Sequence, residues 1–185
     1  MRFDLLAAGL FALLPLYGQA DASTTPAGLI ATLQADCRRV GVGDEIALTM
    51  TLRNAGSTPL VLYRQMGWGE GGGLGLRVDG FDGTAYAVPA SGEVAIDAAK
   101  AGDAGNYLML LPQRALQVVR HATVAELVPG PGNYRVQAEY RSPVAAAEAL
   151  PRAYFWPREA GVVASTALSL EVGESPVCGL AAQGG

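Results

Sequence analysis

Cys37 and Cys178 are the residues of this chain with the clearest potential chemistry. In a chain that is exported, as its N-terminus predicts below, an even pair of cysteines most simply forms a disulfide. The alternative is a redox or metal-binding pair. The chain has no Cys-x-x-Cys motif, however, and its one histidine is far from both cysteines in sequence. We therefore predict a structural disulfide that closes a long loop, worth on the order of 4–5 kcal/mol as an upper figure.

His121 is the one histidine and therefore the first residue to consider for acid–base catalysis. Strand alternation places it beside polar and apolar neighbours on a half-exposed face, and no Gly-x-Ser-x-Gly element supplies a nucleophile for a triad. Four aspartates lie in loops without the spacing of a calcium loop. They are Asp79, Asp82, Asp97 and Asp103. The sequence thus predicts no catalytic residue, no bound metal and no cofactor.

The segment before the last strand is the strongest candidate for binding, because it combines aromatic rings with arginines. Its candidate residues are Arg152, Tyr154, Phe155, Trp156 and Arg158. Aromatic and arginine side chains dominate binding hot spots, and the flanking prolines lower the cost of ordering the loop. The alternative is that Phe155 and Trp156 fold back and close the open end of the fold.

A second candidate is the glycine-rich stretch around Trp68 and Glu70. It lacks the lysine and the strand-to-helix setting of a phosphate-binding loop. One interpretation is an adaptable recognition loop with a single aromatic anchor. The other is a plain connection whose Trp68 packs on the edge of the fold.

The elements that must position these loops are strands. In residues 45–53, Ile46, Leu48, Met50 and Leu52 alternate with small or polar residues. The same alternation recurs in residues 29–37, 134–140 and 167–172, with turn residues between. No long helical period is present. The pattern predicts an all-β fold, an immunoglobulin-like Greek-key β-sandwich of about seven to nine strands.

The N-terminus resembles an export signal: a short positive start, an apolar run of about a dozen residues and a small-x-small cleavage site. We predict a signal peptide over residues 1–22, a linker over 23–28, one domain over 29–173 and a tail over 174–185 that carries Cys178. No later run is long enough to span a membrane. A net charge of −4 gives no footprint for nucleic acid. The expected location is the periplasm or the extracellular space.

Three places in the chain resemble a bacterial immunoglobulin-like domain. They are Val42-Gly43-Asp44 with its strand and Asn54-Ala55-Gly56, the loop over residues 127–136, and Trp156 with residues 161–165 and the final strand. The resemblance implies that the Tyr134 hydroxyl folds back onto its loop. It also implies that the end of the first strand runs parallel to the last strand, which would bring Cys37 and Cys178 to one pole. The chain lacks the usual core tryptophan and the usual inter-sheet cysteine pair.

These observations favour a non-enzymatic binding or accessory domain with an unknown protein partner in the cell envelope. Two alternatives stay open. One is a chagasin-like protease inhibitor, because Gly69-Glu70-Gly71-Gly72 and Phe155-Trp156-Pro157 resemble the loops of that family. The predicted topology places the glycine stretch at the wrong pole for it. The other alternative is a carbohydrate-binding module, in which exposed aromatic rings would stack on sugars.

Overall fold

The computed structural model describes residues 28–69, 72–88, 101–150, 153–175 and 178. Nearly all regular structure within these ranges is β-strand, with one helix of a single turn, α1 (Val124–Leu127), and short 3-10 turns at Ala104–Asn106 and Arg158–Ala160. The all-β prediction is therefore confirmed.

The first sheet contains three antiparallel strands, β1 (Leu29–Ala35), β3 (Glu45–Asn54) and β9 (Ala115–Thr123), in the order β1-β3-β9. The alternation on β3 determines which of its side chains are buried. Four apolar side chains point into the core and are at most 1% exposed: Ile46, Leu48, Met50 and Leu52. Period-2 alternation over nine residues suffices to set this face, because a slip of one residue would expose all four.

The second sheet has the order β2-β12-β10-β6-β5. In chain order its strands are β2 (Arg39–Gly41), β5 (Gly67–Trp68), β6 (Gly73–Gly80), β10 (Gly132–Tyr140) and β12 (Leu168–Gly173). Two short strands extend it, since β7 (Ala85–Tyr86) pairs with β6 and β11 (Val163–Ala164) pairs with β10. The central strand β10 sends Tyr134, Val136, Ala138 and Tyr140 into the core.

The two sheets enclose one main core, as an immunoglobulin-like sandwich requires. With β4 (Leu60–Tyr63) and β8 (Tyr107–Leu110), the described residues form twelve strands, eight of which have four residues or more. The predicted fold class is confirmed. The four extra strands are two- or three-residue pairings, too short for alternation to reveal in a sequence.

The Cys37–Cys178 disulfide is confirmed, with the two Cα atoms 5.9 Å apart and 141 residues between them in sequence. Cys37 lies where the chain leaves β1 in the first sheet and enters β2 in the second, and β2 runs parallel to β12, as the resemblance implied. The buried Asp44 carboxylate holds the same corner, because its Oδ2 accepts hydrogen bonds from the N–H groups of Gly41 (2.7 Å) and Cys178 (2.9 Å).

The Tyr134 hydroxyl donates a hydrogen bond of 2.8 Å to the Gly130 carbonyl, so the tyrosine folds back onto its loop. This bond ties the loop before β10 to the core. Tyr134 itself is only 5% exposed and belongs to the main core.

The strands β4 and β8 form a third, outer layer that the sequence does not predict. All four residues of β4 are buried, and they alternate between two cores. Leu60 and Leu62 face the main core, whereas Val61 and Tyr63 face a second, smaller core. The other members of the second core are Ala101, Val144, Ala149 and Phe155, with Tyr107 packed against them. A continuous apolar run is what a strand buried on both faces needs.

Alkaline pH is expected to destabilise this fold, because burial raises the pKa of Tyr140 above its usual value near 10. As the pH rises past 10, the unfolded chain loses this proton before the folded chain does. The contribution of Tyr140 to the free energy of unfolding is therefore fully present below pH 10. Each further pH unit lowers that free energy by up to about 1.4 kcal/mol until the pKa of Tyr140 in the folded protein is reached. Urea unfolding at several pH values measures this loss. In the Tyr140→Phe variant the decline should be shallower, and an unchanged slope would contradict the assignment.

Candidate functional site

The aromatic segment before the last strands is joined to the edge of β4 in the outer layer by a single isolated bridge. The Val61 N–H donates to the Tyr154 carbonyl at 2.8 Å, and the Trp156 N–H donates to the Val61 carbonyl at 2.9 Å. Phe155 thereby forms a parallel bridge with Val61. In an extended segment, successive side chains point to opposite faces. Phe155 accordingly lies in the second core, and Trp156 lies in the main core.

Burial of these two rings corrects part of the predicted binding loop. Phe155 is 4% exposed and Trp156 is 7% exposed. The Phe155 ring stands edge-to-face against Tyr107, with centroids 5.4 Å apart, and Tyr107 packs in the same way against Tyr63 at 5.5 Å. Rings of this size contribute strongly to core packing. The prediction that Phe155 and Trp156 form a recognition surface is therefore wrong, and the alternative, in which they fold back, is correct.

The remaining residues of the predicted loop have different positions. Tyr154 is exposed and has a positive φ of 60°. Arg158 is exposed, and its guanidinium donates a hydrogen bond to the Pro143 carbonyl. Arg152 lies outside the described residues. Whether this segment recognises a partner is thus a question about Tyr154 and its surroundings.

Trp68, the predicted anchor of the glycine stretch, is also buried, at 5% exposure in the main core. The Gly67 N–H donates to the Gly72 carbonyl at 2.9 Å, and the Gly69 N–H donates to the Leu74 carbonyl at 2.8 Å. These bonds pair β5 with β6 and direct the indole inward. The prediction of an exposed anchor is corrected for this reason. Glu70 lies outside the described residues.

The glycine stretch also lies at a different pole from the one predicted. The Arg141 N–H donates to the Gly73 carbonyl at 2.8 Å, so the stretch is adjacent to the segment that follows β10. Gly72 must be glycine, because a Cβ there would lie 2.1 Å from the Gly67 carbonyl oxygen. The described residues of the two loops compared with an inhibitor therefore lie at one pole, but Phe155 and Trp156 of the second loop are buried.

Tryptophan fluorescence tests this correction directly, because Trp68 and Trp156 are the two tryptophans of the chain. Since both indoles are buried, the folded protein should emit to the blue of the urea-unfolded chain. Iodide, a charged quencher that does not enter cores, should quench the folded protein at least severalfold less than the unfolded chain. The Trp68→Phe and Trp156→Phe variants assign the two signals. Free access of iodide to Trp156 would contradict the burial.

Four large apolar side chains remain about half exposed around the outer layer. They are Met109 (58%), Leu111 (50%), Leu150 (49%) and Tyr154 (53%), and we call them the outer-layer surface. Met109 lies opposite Val61 in the β4–β8 pairing. The Leu150 N–H donates to the Tyr107 hydroxyl at 3.2 Å. Exposed apolar side chains gathered on one part of a protein commonly mark an interaction site.

The described titratable residues considered for chemistry lie on different elements or have their own partners. His121 is exposed on β9 opposite Ala47. Asp79 pairs with Arg77 at 2.9 Å, and Asp103 accepts a hydrogen bond from the Gly105 N–H at 2.8 Å. Asp97 lies outside the described residues.

One group within the described ranges brings three potential metal ligands together: Asp36 with the two half-cystines. Sulfurs that are bonded to each other are not thiolate ligands, so this group does not offer a metal site.

An unpredicted cleft of about 280 Å³ lies beside the start of β10, at the opposite end of that strand from Tyr140 and the segment that leads to the outer layer. It is lined by Gly80, Phe81, Asp82, Tyr86, Pro131, Gly132, Asn133 and Tyr134, and we call it the turn cleft. The sequence shows Gly80-Phe81-Asp82-Gly83 as a tight turn. A large apolar residue at the tip of such a turn is the one signal that could have indicated a site there.

The fold and the surface define an immunoglobulin-like β-sandwich with an added outer layer. In the described part of the chain, no helix has the length and apolar character needed to cross a bilayer. No protein-family model and no curated protein matches this chain.

A solved structure with some similarity is the CARDB domain of a Pyrococcus furiosus protein, in complex with di-metal ions. It is 15% identical, with 84% of this chain and 100% of that chain covered, and the TM-score is 0.37. At that level of similarity it carries no argument about function.

Proposed function

We propose that this chain is a non-enzymatic binding domain that is exported to the bacterial cell envelope and recognises a protein there through the outer-layer surface. The observation that carries the proposal is the half-exposure of Met109, Leu111, Leu150 and Tyr154 around one layer. Protein interfaces are built around such side chains, with aromatic residues and methionine enriched at their centres.

The second core supports this role because it holds the surface in place. Phe155, Tyr107 and Tyr63 pack edge-to-face in the second core, and Tyr107 lies on β8, the strand that also carries Met109. The backbone that carries Tyr154 is also bonded to β4. A surface that is rigid before binding loses little conformational entropy on association, so more of the contact energy appears as affinity.

The disulfide supports an oxidising location, since such bonds persist outside the cytosol and are rare inside it. The signal peptide over residues 1–22 remains a prediction. Intact mass of the exported protein, measured with and without reductant, tests both points. We expect a mature chain that begins at or near residue 23 and gains the mass of two hydrogen atoms on reduction. A chain that retains residues 1–22, or an unchanged mass on reduction, would contradict the proposed location.

Affinity capture from envelope extract tests the surface itself. The test variant is Met109→Ser/Leu111→Ser/Tyr154→Ser. The matched control is Ile30→Ser/Val119→Ser, which removes two exposed apolar side chains from the first sheet. Loss of hot-spot contacts should weaken binding of the captured partner at least tenfold in the test variant only. Equal recovery by all three proteins would show that this surface is not the binding site.

A further inference from the structure

The turn cleft has a rigid backbone frame. The Gly80 N–H donates to the Thr84 carbonyl at 2.7 Å, and the Gly83 N–H donates to the Gly80 carbonyl at 3.0 Å. The Phe81 N–H donates to the Asn133 carbonyl at 3.2 Å, which ties the β6–β7 turn to the loop before β10. The side chains on the two segments therefore keep fixed positions relative to one another.

Two side-chain oxygens lie close together at this cleft, those of Asp82 and Tyr86. A Cβ placed on Gly80 would lie 2.5 Å from Oδ1 of Asp82 and 3.4 Å from the Tyr86 hydroxyl, so both oxygens pack over the Gly80 backbone. The Tyr134 hydroxyl also lines the cleft, but it is already bonded to the Gly130 carbonyl. Glycine at position 80 thus lets the Asp82 and Tyr86 oxygens lie side by side.

The Asp82 carboxylate is held as an acceptor. Its Oδ1 accepts a hydrogen bond of 3.0 Å from the Thr84 N–H. Hydrogen bonds from Thr84 lower the pKa of Asp82, so the group is ionised at neutral pH. An ionised carboxylate can accept bonds from two neighbouring hydroxyl groups.

Apolar side chains flank these oxygens. Phe81 is 54% exposed at the tip of the turn, and Pro131 lines the cleft beside it. The Tyr86 ring stands edge-to-face against Tyr134, with centroids 5.7 Å apart. A cleft with apolar rings on its flank and fixed oxygen acceptors on its floor suits a ligand that has one apolar face and a rim of hydroxyls.

The local charges select among ligands. The Arg135 guanidinium lies 4.8 Å from the centroid of the Phe81 ring, so a protein cation already occupies one face of that ring. A cation would be repelled by Arg135 and attracted by Asp82, and an anion would be attracted by Arg135 and repelled by Asp82. The two charges together favour neither sign, which suits a neutral ligand. A volume of about 280 Å³ is at the small end for ligand sites and suits a single ring.

We propose that the turn cleft binds one pyranose ring of a neutral glycan, with its C–H face on Phe81 and its hydroxyls on Asp82, Tyr86 and Asn133. This site is separate from the outer-layer surface and does not depend on the proposed partner. Its ligand could be a free oligosaccharide or part of an insoluble polysaccharide, since both present the same ring.

Titration of the intact protein with chitotriose, cellotriose and mannotriose, followed by amide chemical shifts, tests the site. At least one sugar should give saturable shifts confined to residues 80–86 and 130–135. In Asp82→Asn and Phe81→Ala, affinity should fall at least tenfold. Asn keeps an oxygen for the Thr84 N–H, and Phe81 is exposed, so both variants should fold; thermal unfolding checks this. Tyr86→Phe, which removes only a hydroxyl, should also weaken binding.

Two control variants keep the test specific. Glu45→Gln removes an exposed carboxylate elsewhere, and Tyr154→Ala removes an exposed ring of the outer-layer surface. Neither should change sugar affinity. Depletion on insoluble chitin and cellulose distinguishes a polysaccharide ligand from a soluble one. The proposal is overturned if no sugar gives saturable shifts at about 10 mM, well above a millimolar Kd. Tighter binding of cationic glucosamine than of neutral N-acetylglucosamine also overturns it.

Discussion

Replacing both Cys37 and Cys178 by alanine is expected to lower the free energy of unfolding by about 3–5 kcal/mol. The bond joins residues 141 apart in sequence, so it removes much of the conformational freedom of the unfolded chain. In the folded protein it secures the corner where β2 pairs with β12 over only three residues. Urea unfolding measures the loss. Hydrogen exchange should speed up most in residues 37–44, because this corner opens first.

The wild-type protein under reducing conditions is the natural control for this prediction. Its unfolding midpoint should match that of the double variant, because neither protein has the disulfide. The two proteins differ only in the side chains at positions 37 and 178, so a match assigns the loss of stability to the bond. Both proteins keep the backbone N–H groups of residues 41 and 178 that bond to Asp44 in the disulfide-bonded structure, so part of the corner should persist. A loss below about 1 kcal/mol would mean that the termini are held by packing and not by the disulfide.

Phe155→Ala should cost about 3–5 kcal/mol of stability, the usual range when a buried phenylalanine is truncated. The ring fills the second core against Tyr107 and Val61, and few other large side chains are near enough to close the cavity. Urea unfolding measures the total cost. Amide exchange should rise in β4, in β8 and in residues 153–156, since Phe155 joins these segments.

Tyr154→Ala is the matched control, because it truncates the neighbouring aromatic residue, which is exposed. Its effect on stability should stay within about 0.5 kcal/mol. If the two variants cost the same, Phe155 would not be packed in a second core. Such a result would return Phe155 to the candidate binding residues, so this pair of variants also tests the choice of Tyr154 for the outer-layer surface.

The strands of the sandwich could be predicted because their signal is local. On β3 and β10, the alternation of apolar and polar residues predicts which face is buried. Burial of one face is enough to fix the register of a strand in its sheet. The disulfide could be predicted from the number of cysteines and the apparent export signal. The fold-back of Tyr134 was implied by the resemblance of its loop to that of bacterial immunoglobulin-like domains.

The positions of the aromatic loop residues could not be predicted in this way. Phe155 is buried because β4, almost a hundred residues earlier, offers a strand edge at Val61. Trp68 is buried because its glycine loop closes on itself and pairs with β6. The local sequence of either segment gives no sign of the distant strand with which it pairs. A composition of aromatic residues, prolines and arginines is as compatible with an exposed loop as with a buried one.

The amino-acid sequence alone therefore determined the all-β class, the core face of the alternating strands β1, β3, β10 and β12 and the pairing of the two cysteines. Only the tertiary structure decided which aromatic rings are buried, that β4 and β8 form an outer layer with a second core, and that the turn cleft exists. The physical reason is the range of the interactions. Alternation acts between neighbours along the chain, whereas burial of a loop residue depends on which strand edge the rest of the fold leaves open to it.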